Sequence, residues 1–417
     1  MPSPMIKKTK PLPHPAPEPA FDAGPDSAAL EAVARAESRT VTVDGNRLSL
    51  LPDGPERLDA LVALIDGADY SLRLLYYIFT NDVSGQRVLD ALMRARARGI
   101  DVALLIDGFG SAKTPDNFFS GLHDAGARFC RFLPSYGRRY LIRNHQKLAL
   151  ADESRVMIGG FNVEDDYFGT REDGAWRDLG LMVEGPAAAR LTPYFDQLMV
   201  WALAKGSRIR ELRTIIAQHS EHYGKLQWLF GGPMRRLSPW AQATCRDLAQ
   251  AQDVEMIAAY FAPTGGMLRR IARIGNRGRA RVITAARSDN SATIAAARWT
   301  YSRLLRRGVE VYEYRPTKLH SKLVVLDDVV HIGSSNFDIR SLYLNLEMTL
   351  RVDDPEFAQM MRAYVEHELQ DCLQITRELH RMRGTLFNRI KWAVSFYLVT
   401  AVDYGVTRRA NFNFRSE

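Results

Sequence analysis

The stretch Asn144-His145-Gln146-Lys147-Leu148-Ala149-Leu150-Ala151-Asp152 returns with the same spacing as Leu319-His320-Ser321-Lys322-Leu323-Val324-Val325-Leu326-Asp327. Both copies read His-x-Lys, four mostly apolar residues, then Asp. The apolar run predicts a buried strand, and a side-chain period of two puts His and Lys on one face of it. Two imidazoles and two ammonium groups on matching strands predict one site built from two halves.

The repeat extends well beyond these motifs. Upstream of the first, a helical pattern from Pro55 (Leu58, Leu61, Val62, Ile65) leads to a strand at Leu72 to Phe79, a helix over Val88 to Arg98 and a strand from Asp101 to Ile106. Upstream of the second, Ser238-Pro239 opens a helix to Gln250, followed by strand Val254 to Phe261, helix Met267 to Ile274 and strand Arg281 to Ala285. After each motif comes a turn, Ile158-Gly159-Gly160-Phe161-Asn162 and Ile332-Gly333-Ser334-Ser335-Asn336, and then a carboxylate, Asp178 or Glu347, ahead of an apolar stretch and a Pro. A repeat of about 175 residues is too long for a solenoid and predicts two like α/β domains about a pseudo-twofold.

The domain expectations follow. Residues 1–39 are a Pro/Ala-rich lead-in with no apolar signal-peptide core; 40–203 form the first domain, opening on a hairpin around Asp44-Gly45; 204–237 are an inter-domain connection broken at Gly231-Gly232-Pro233; 238–376 form the second domain; 377–417 are a basic, aromatic tail. Three distant cysteines support neither a disulfide framework nor a zinc knuckle. The formal charge of +8 favours a polyanionic partner, which leaves nucleic acid and acidic lipid headgroups both open.

The chemistry that two His-Lys sets suit is transfer at phosphorus. One imidazole attacks while the other protonates the leaving oxygen, and the roles swap in the second step. A covalent phosphohistidine divides one hard displacement into two, with Lys147 and Lys322 holding the phosphoryl oxygens and Asn162 and Asn336 adding hydrogen bonds. No metal or other cofactor is needed in that scheme. Each imidazole requires a partner on its second nitrogen, for which Asp178 and Glu347 are the candidates.

The doubled His-x-Lys-x4-Asp motif, each copy followed by a Gly-x-x-Asn turn, resembles the phospholipase D superfamily. Arg143-Asn144-His145, Gly159 to Tyr167, Trp176-Arg177-Asp178, Tyr260-Phe261-Ala262-Pro263 and Leu344-Asn345-Leu346-Glu347 resemble bacterial cardiolipin synthases. The resemblance runs from about Leu50 to Arg377. It implies two phospholipase D-like domains, each a mixed β-sheet flanked by helices, one active site at their interface, and a phosphatidyl-histidine intermediate resolved by an alcohol. By position it implies His145 as nucleophile and His320 as acid, with Lys147, Lys322, Asn162 and Asn336 on the phosphate. Asp152 and Asp327 complete the catalytic motif as supports, and Ser334, where the first half has Gly160, is a further candidate donor to phosphate.

Many members of the family begin with two membrane-spanning helices, whereas no run near 18 apolar residues occurs in this chain, so it resembles the shorter type. Membrane contact is then expected from the tail, which carries eight Lys/Arg against three acids around the 11-residue apolar stretch Trp392 to Val402. That stretch suits an interfacial helix on anionic lipid, or a helix docked on its own protein. The expectation is a peripheral phosphatidyltransferase at the cytoplasmic face of a bacterial inner membrane. Its substrates would be phospholipids, phosphatidylglycerol first, with phosphatidylethanolamine or glycerol as other acceptors, and nucleic acid is not an expected partner. The rival readings are a nucleic-acid phosphodiesterase using the same chemistry and a catalytically silent membrane scaffold.

Overall fold

The computed structural model describes residues 39–132 and 141–402. The expected lead-in, Arg39 apart, and the tail after Val402 lie outside the described residues. The described residues form two eight-stranded mixed sheets. The first contains β1 (Thr40–Val43), β2 (Asn46–Leu51), β3 (Ser71–Tyr76), β4 (Asp101–Asp107), β5 (Arg128–Phe132), β6 (Leu148–Ala151), β7 (Arg155–Gly159) and β8 (Gly180–Glu184), in the order β1-β2-β8-β7-β6-β3-β4-β5. The second contains β9 (Leu226–Gly231), β10 (Asp253–Ala258), β11 (Arg279–Ala285), β12 (Glu310–Tyr314), β13 (Lys322–Leu326), β14 (Val329–Gly333), β15 (Glu347–Asp353) and β16 (Cys372–Gln374), in the order β16-β12-β11-β10-β13-β14-β15-β9. Seven strands of each sheet correspond one to one, from β2 and β9 to β5 and β12. The parallel trios β3-β4-β5 and β10-β11-β12 are joined by helical crossovers, and the strands that follow each motif run antiparallel.

Period-two alternation sorts the strand residues into three cores. In β6, Leu148 and Leu150 enter a core shared by both sheets, whereas Ala149 and Ala151 face the first half's own helices, Gly54–Asp66 and Val83–Ala97. In β13, Leu323 and Val325 enter the shared core, and Val324 and Leu326 face the second half's helices. Because the shared core takes one face of each sheet, the two halves are welded together and the motif ends are brought to a common seam. The hairpin at the start is as expected: Asp44 and Gly45 both hold positive φ, 46° and 72°, as a two-residue turn between β1 and β2 requires.

The inter-domain connection expected over 204–237 is not one. It carries the helix Ile209–His219 and all of β9, an edge strand of the second sheet whose residues are buried throughout. Trp228 and Phe230 enter the shared core and Leu229 the opposite one, so the run is apolar on both faces and lacks the alternation that marks a half-exposed strand. Gly231 ends β9 where a Cβ would come within 2.9 Å of Glu347 Cβ and 2.8 Å of the Trp240 indole nitrogen, so the glycine is there for close approach.

A side-chain clamp adds to the seam. The Arg177 guanidinium donates from Nε to both oxygens of Glu368 at 3.0 Å and from Nη1 to the Pro52 carbonyl at 3.0 Å. Glu368 is almost wholly buried, so removing its cation leaves a carboxylate without compensation. Arg177→Ala is expected to lower stability by about 3 kcal/mol, read as a shift of the denaturant midpoint; a midpoint unchanged from wild type would contradict the clamp.

Candidate active site

The motif histidines do not lie within their strands. β6 begins at Leu148 and β13 at Lys322, and the extended residues before them pair with the opposite half. The His145 N–H donates to the Leu346 carbonyl at 2.9 Å, and the His320 N–H donates to the Arg177 carbonyl at 2.7 Å. Single bridges Asn144–Leu346 and Arg177–Leu319 accompany them. Backbone donors that a longer strand would spend inside its own sheet are thus spent across the seam, which is why these strands are shorter than their apolar pattern suggests.

The side chains cross in the same sense. His145 Nδ1 meets Glu347 Oε2 of the second half at 3.1 Å, and His320 Nδ1 meets Asp178 Oδ2 of the first half at 2.6 Å. Neither histidine therefore has its carboxylate partner in its own repeat. With Nδ1–H given to the carboxylate, Nε2 of each ring keeps its lone pair for a reaction. The Asp178 and Glu347 side chains are fully buried.

Lys147 Nζ donates to its neighbour's backbone, the His145 carbonyl, at 2.6 Å, and Lys322 Nζ donates in the same way to the His320 carbonyl. Lys322 Nζ also lies 2.8 Å from His320 Nδ1, a Coulombic contact once that nitrogen's proton is given to Asp178. The four cation-bearing groups feel one another across the seam, Lys322 acting on His145 and Lys147 on His320. Burial, with Lys322 second, draws His320 down to about 3 against the pull of Asp178. His145 is lowered by burial and by Lys147, against Glu347. Burial takes Lys322 down to about 8, opposed by Asp178 and Glu347, and takes Lys147 well below its ordinary value. For Asp178 burial is the largest influence and raises it, but His320 and Lys322 together outweigh burial and bring it to about 2.

The other motif residues divide. Asn162 and Asn336 are both buried; Asn162 accepts from the Ile78 N–H at 3.1 Å and donates to the Tyr167 hydroxyl at 3.0 Å. Ser334, expected at the phosphate, has its single proton on Glu347 Oε2 at 2.6 Å and accepts from the Met348 N–H at 3.0 Å. It buttresses a carboxylate and has no proton left for phosphate. Its counterpart Gly160 packs so closely on Asp178 that a Cβ would lie 2.5 Å from Oδ1. The shorter Asp side chain leaves room only for glycine, whereas Glu reaches further and leaves room for a hydroxyl.

Asp152 and Asp327, grouped by the motif with the catalytic residues, sit at the far ends of β6 and β13. Five residues of extended chain place them about 16 Å from Lys147 and Lys322. Both hold positive φ, 51° and 50°, and cap the start of the neighbouring strand: Asp152 accepts from Tyr70 N–H at 2.9 Å and Ser71 N–H at 3.1 Å, and Asp327 from Asp253 N–H at 2.8 Å. Their work is to fix register and turn. They touch nothing in the histidine cluster.

Several supporting residues went unrecognised in the sequence. Asp107, at the end of β4, accepts from the Asn144 N–H at 2.7 Å and from the Phe109 and Gly110 N–H groups at 2.9 Å, so it pins the chain just before His145. Burial raises its carboxyl to about 6 despite those donors. Ser341 Oγ donates to Glu347 Oε1 at 2.7 Å, completing a shell of two hydroxyls and one imidazole around that carboxylate. Arg57, buried, donates to the carbonyls of Asp178 at 2.8 Å and Tyr167 at 2.7 Å. The ring of His320 is enclosed by Tyr167, Trp176 and Tyr260, with centroids 5.2, 5.3 and 6.2 Å away. His145 is the more accessible of the two: it lines an open pocket of about 270 Å³ with Tyr77, Phe109, Arg143, Arg340 and Asn345.

A family model described as "Cardiolipin synthase, PLD-like domain" matches residues 61–199 and 244–369, one segment in each half. The chain belongs to the cardiolipin synthase-like phospholipase D family. The curated relatives of this cardiolipin synthase-like chain include a cardiolipin synthase A of Pseudomonas entomophila (strain L48), 30% identical over 370 residues that span 85% of this chain and 76% of the relative. Another is a cardiolipin synthase of Listeria monocytogenes serotype 4a (strain HCC23), 29% identical over 368 residues, 85% of this chain and 75% of the relative. Among solved structures, phosphatidylserine synthase from Haemophilus influenzae Rd KW20 superposes with a TM-score of 0.66 at 16% identity, covering 87% of this chain and 94% of that one. A polyphosphate kinase from Porphyromonas gingivalis gives 0.53 at 15% identity, covering 88% and 54%. At such identities the structural likeness speaks for the family's fold alone.

Proposed function

We propose that this chain is a phosphatidyltransferase of the cardiolipin synthase type that works through a histidine-bound phosphatidyl intermediate. The crossed pairing of His145 with Glu347 and His320 with Asp178 carries the reading, because each half alone supplies an imidazole without its orienting carboxylate. In the first step the Nε2 lone pair of His145 forms a bond to phosphorus. The bond from phosphorus to the leaving alcohol's oxygen breaks, and His320 gives that oxygen a proton. In the second step neutral His320 takes a proton from the incoming hydroxyl, whose oxygen bonds to phosphorus as the P–N bond to His145 breaks. Lys147 and Lys322 hold the phosphoryl oxygens, with the Asn162 and Asn336 amides beside them. His145 is assigned the attack because it opens onto the pocket, whereas His320 is enclosed by aromatic rings.

Charge balance says where His320 obtains its proton. Lys322 and Lys147 both hold His320 down in the free site, and a phosphodiester bound on them brings a negative charge that offsets this repulsion and lets the imidazole take a proton. Binding of a non-hydrolysable phosphodiester lipid at pH 7 is therefore expected to take up about one proton, measured by calorimetry in buffers of different ionisation enthalpy. Zero uptake, or release, would contradict the balance. A second dependence concerns Lys322. Its charged form is lost as pH rises through about 8, so kcat/KM is expected to fall above that pH, and Lys322→Arg to carry the limb upward. A limb that stays in place in the arginine variant would reject this assignment.

Phosphatidylglycerol is the proposed donor and acceptor, with phosphatidylethanolamine or glycerol as other acceptors, at the cytoplasmic face of an anionic membrane. No helix among the described residues is long and apolar enough to cross a bilayer. The deciding experiment is to incubate the purified protein with labelled phosphatidylglycerol, alone and with phosphatidylethanolamine or glycerol, and to identify the lipids formed. Formation of diphosphatidylglycerol is expected; its absence under every condition would reject the synthase reading.

A further inference from the structure

The helix Leu386–Tyr397 lies against the helix Ser291–Leu305, and it buries only Trp392 and Ser395 there. Trp392 stacks on His380 with centroids 5.1 Å apart, so the inward face of the helix is anchored on its own protein. The outward face is apolar. Leu386 and Phe387 are 77% and 76% exposed, and Ile390, Val394 and Tyr397 continue the same side at helical spacing, joined by exposed Trp299 of the neighbouring helix. An apolar row of this size left in water marks a surface that meets something.

The charge beside it says what. A groove of about 660 Å³ runs between the two helices, and Arg303, Arg306 and Arg389 line it with no acidic residue among its walls. Arg303 also lines a second cleft, with Arg269, Arg273 and Arg307, so the cationic surface is continuous. Some exposed arginines of the molecule pair with carboxylates, as Arg94 does with Asp66 and Arg128 with Asp101. Arg269, Arg273, Arg303, Arg306 and Arg389 form no ion pair among the described residues, and no carboxylate lines either cleft. Unpaired cations flanking an exposed apolar helix face match the chemistry of an anionic bilayer surface, with alkyl and aromatic groups at the acyl boundary and guanidinium groups on headgroup phosphates.

We infer that this face, formed by the second half together with the tail helix, docks the protein flat on anionic phospholipid membrane, with Phe387, Ile390, Val394 and Trp299 entering the interface and Arg303, Arg306 and Arg389 taking lipid phosphates. The surface is distinct from the histidine cluster yet mechanically joined to it. Asp289, just before the helix Ser291–Leu305, accepts from the Tyr260 hydroxyl at 2.6 Å, and Tyr260 borders His320. From the start of that helix to Trp299 and Arg306 is about 12–22 Å along its axis, so docking sets the distance from membrane to site. The inference deepens the phospholipid reading of the site by naming the membrane-facing surface.

The test is co-sedimentation of the full chain with vesicles of phosphatidylcholine alone, or of phosphatidylcholine and phosphatidylglycerol in equal parts. Wild type is expected to bind the anionic vesicles only, and less at high salt. The triple variant Arg303→Ala/Arg306→Ala/Arg389→Ala is expected to lose about 100-fold in partitioning, and Phe387→Ser/Ile390→Ser to lose binding at both salt concentrations. Both are expected to keep wild-type transferase activity on phosphatidylglycerol dispersed in detergent micelles, where docking is not required. Vesicle binding unchanged in the triple variant would overturn the inference. So would sedimentation velocity showing a dimer that these substitutions dissociate, since the face would then belong to a second copy. Transferase activity missing from wild type while vesicle binding persists would instead fail the catalytic reading and leave the docking surface standing.

Discussion

His145→Ala and His320→Ala are each expected to abolish phosphatidyl transfer, with kcat reduced by about 10⁵-fold while the protein stays folded. The two variants should differ in one respect. Without His145 no nucleophile is left, so no covalent lipid can form. Without His320 the first displacement lacks its acid, yet His145 keeps Glu347 on Nδ1 and a free Nε2, so a donor with a good leaving group, such as a nitrophenyl phosphodiester, should still transfer slowly. Rescue of His320→Ala by the activated donor, with none for His145→Ala, is the expected pattern. The reverse pattern would exchange the two roles. Because the histidines act as a unit, the double variant should be no worse than either single one.

The carboxylates should show the second large effect. Asp178→Asn and Glu347→Gln keep shape but lose the charge that fixes each imidazole's tautomer, and each is expected to lower kcat by about 10³ to 10⁴-fold with little change in KM. The crossing gives this test its content. A double-mutant cycle should find His145 coupled to Glu347 and His320 coupled to Asp178, with weak coupling for the pairs inside one repeat. Strong coupling between His145 and Asp178 would mean that each half orients its own histidine, against the geometry described above. Glu347 has hydroxyl donors in Ser334 and Ser341, whereas Asp178 has none among the described residues, so Ser334→Ala should act on the His145 step alone.

The sequence makes legible whatever the repeat states twice. His145, Lys147, His320 and Lys322 stood out because the same spacing recurs about 175 residues later, and Asp178 and Glu347 because they hold equivalent places. Equivalence names partners but not the half in which each partner sits, so the crossing was invisible; it comes from carbonyl and side-chain bonds that join residues some 140 to 200 positions apart. Asp107 escaped for the opposite reason. Its counterpart by strand register is Ala285, so comparing the halves gives it no support. β9 is hidden in the sequence because a strand buried on both faces carries no alternation, and its Gly-Gly-Pro ending resembles a linker. The polarity of its turn points Ser334 at phosphate, whereas the nearer acceptor, Glu347, claims its proton. Asp152 and Asp327 belong to the motif by spacing and to the turn by conformation, since each adopts positive φ and caps backbone donors, three for Asp152 and two for Asp327.

The most direct measurement is to mix the protein with phosphatidylglycerol carrying labelled acyl chains, quench under alkaline denaturing conditions that preserve a P–N bond, digest, and locate the label by mass spectrometry. The label should appear as a phosphatidyl group on the peptide containing His145, build up in His320→Ala, and vanish in His145→Ala. Label confined to His320, or turnover with no labelled histidine at all, would contradict the mechanism.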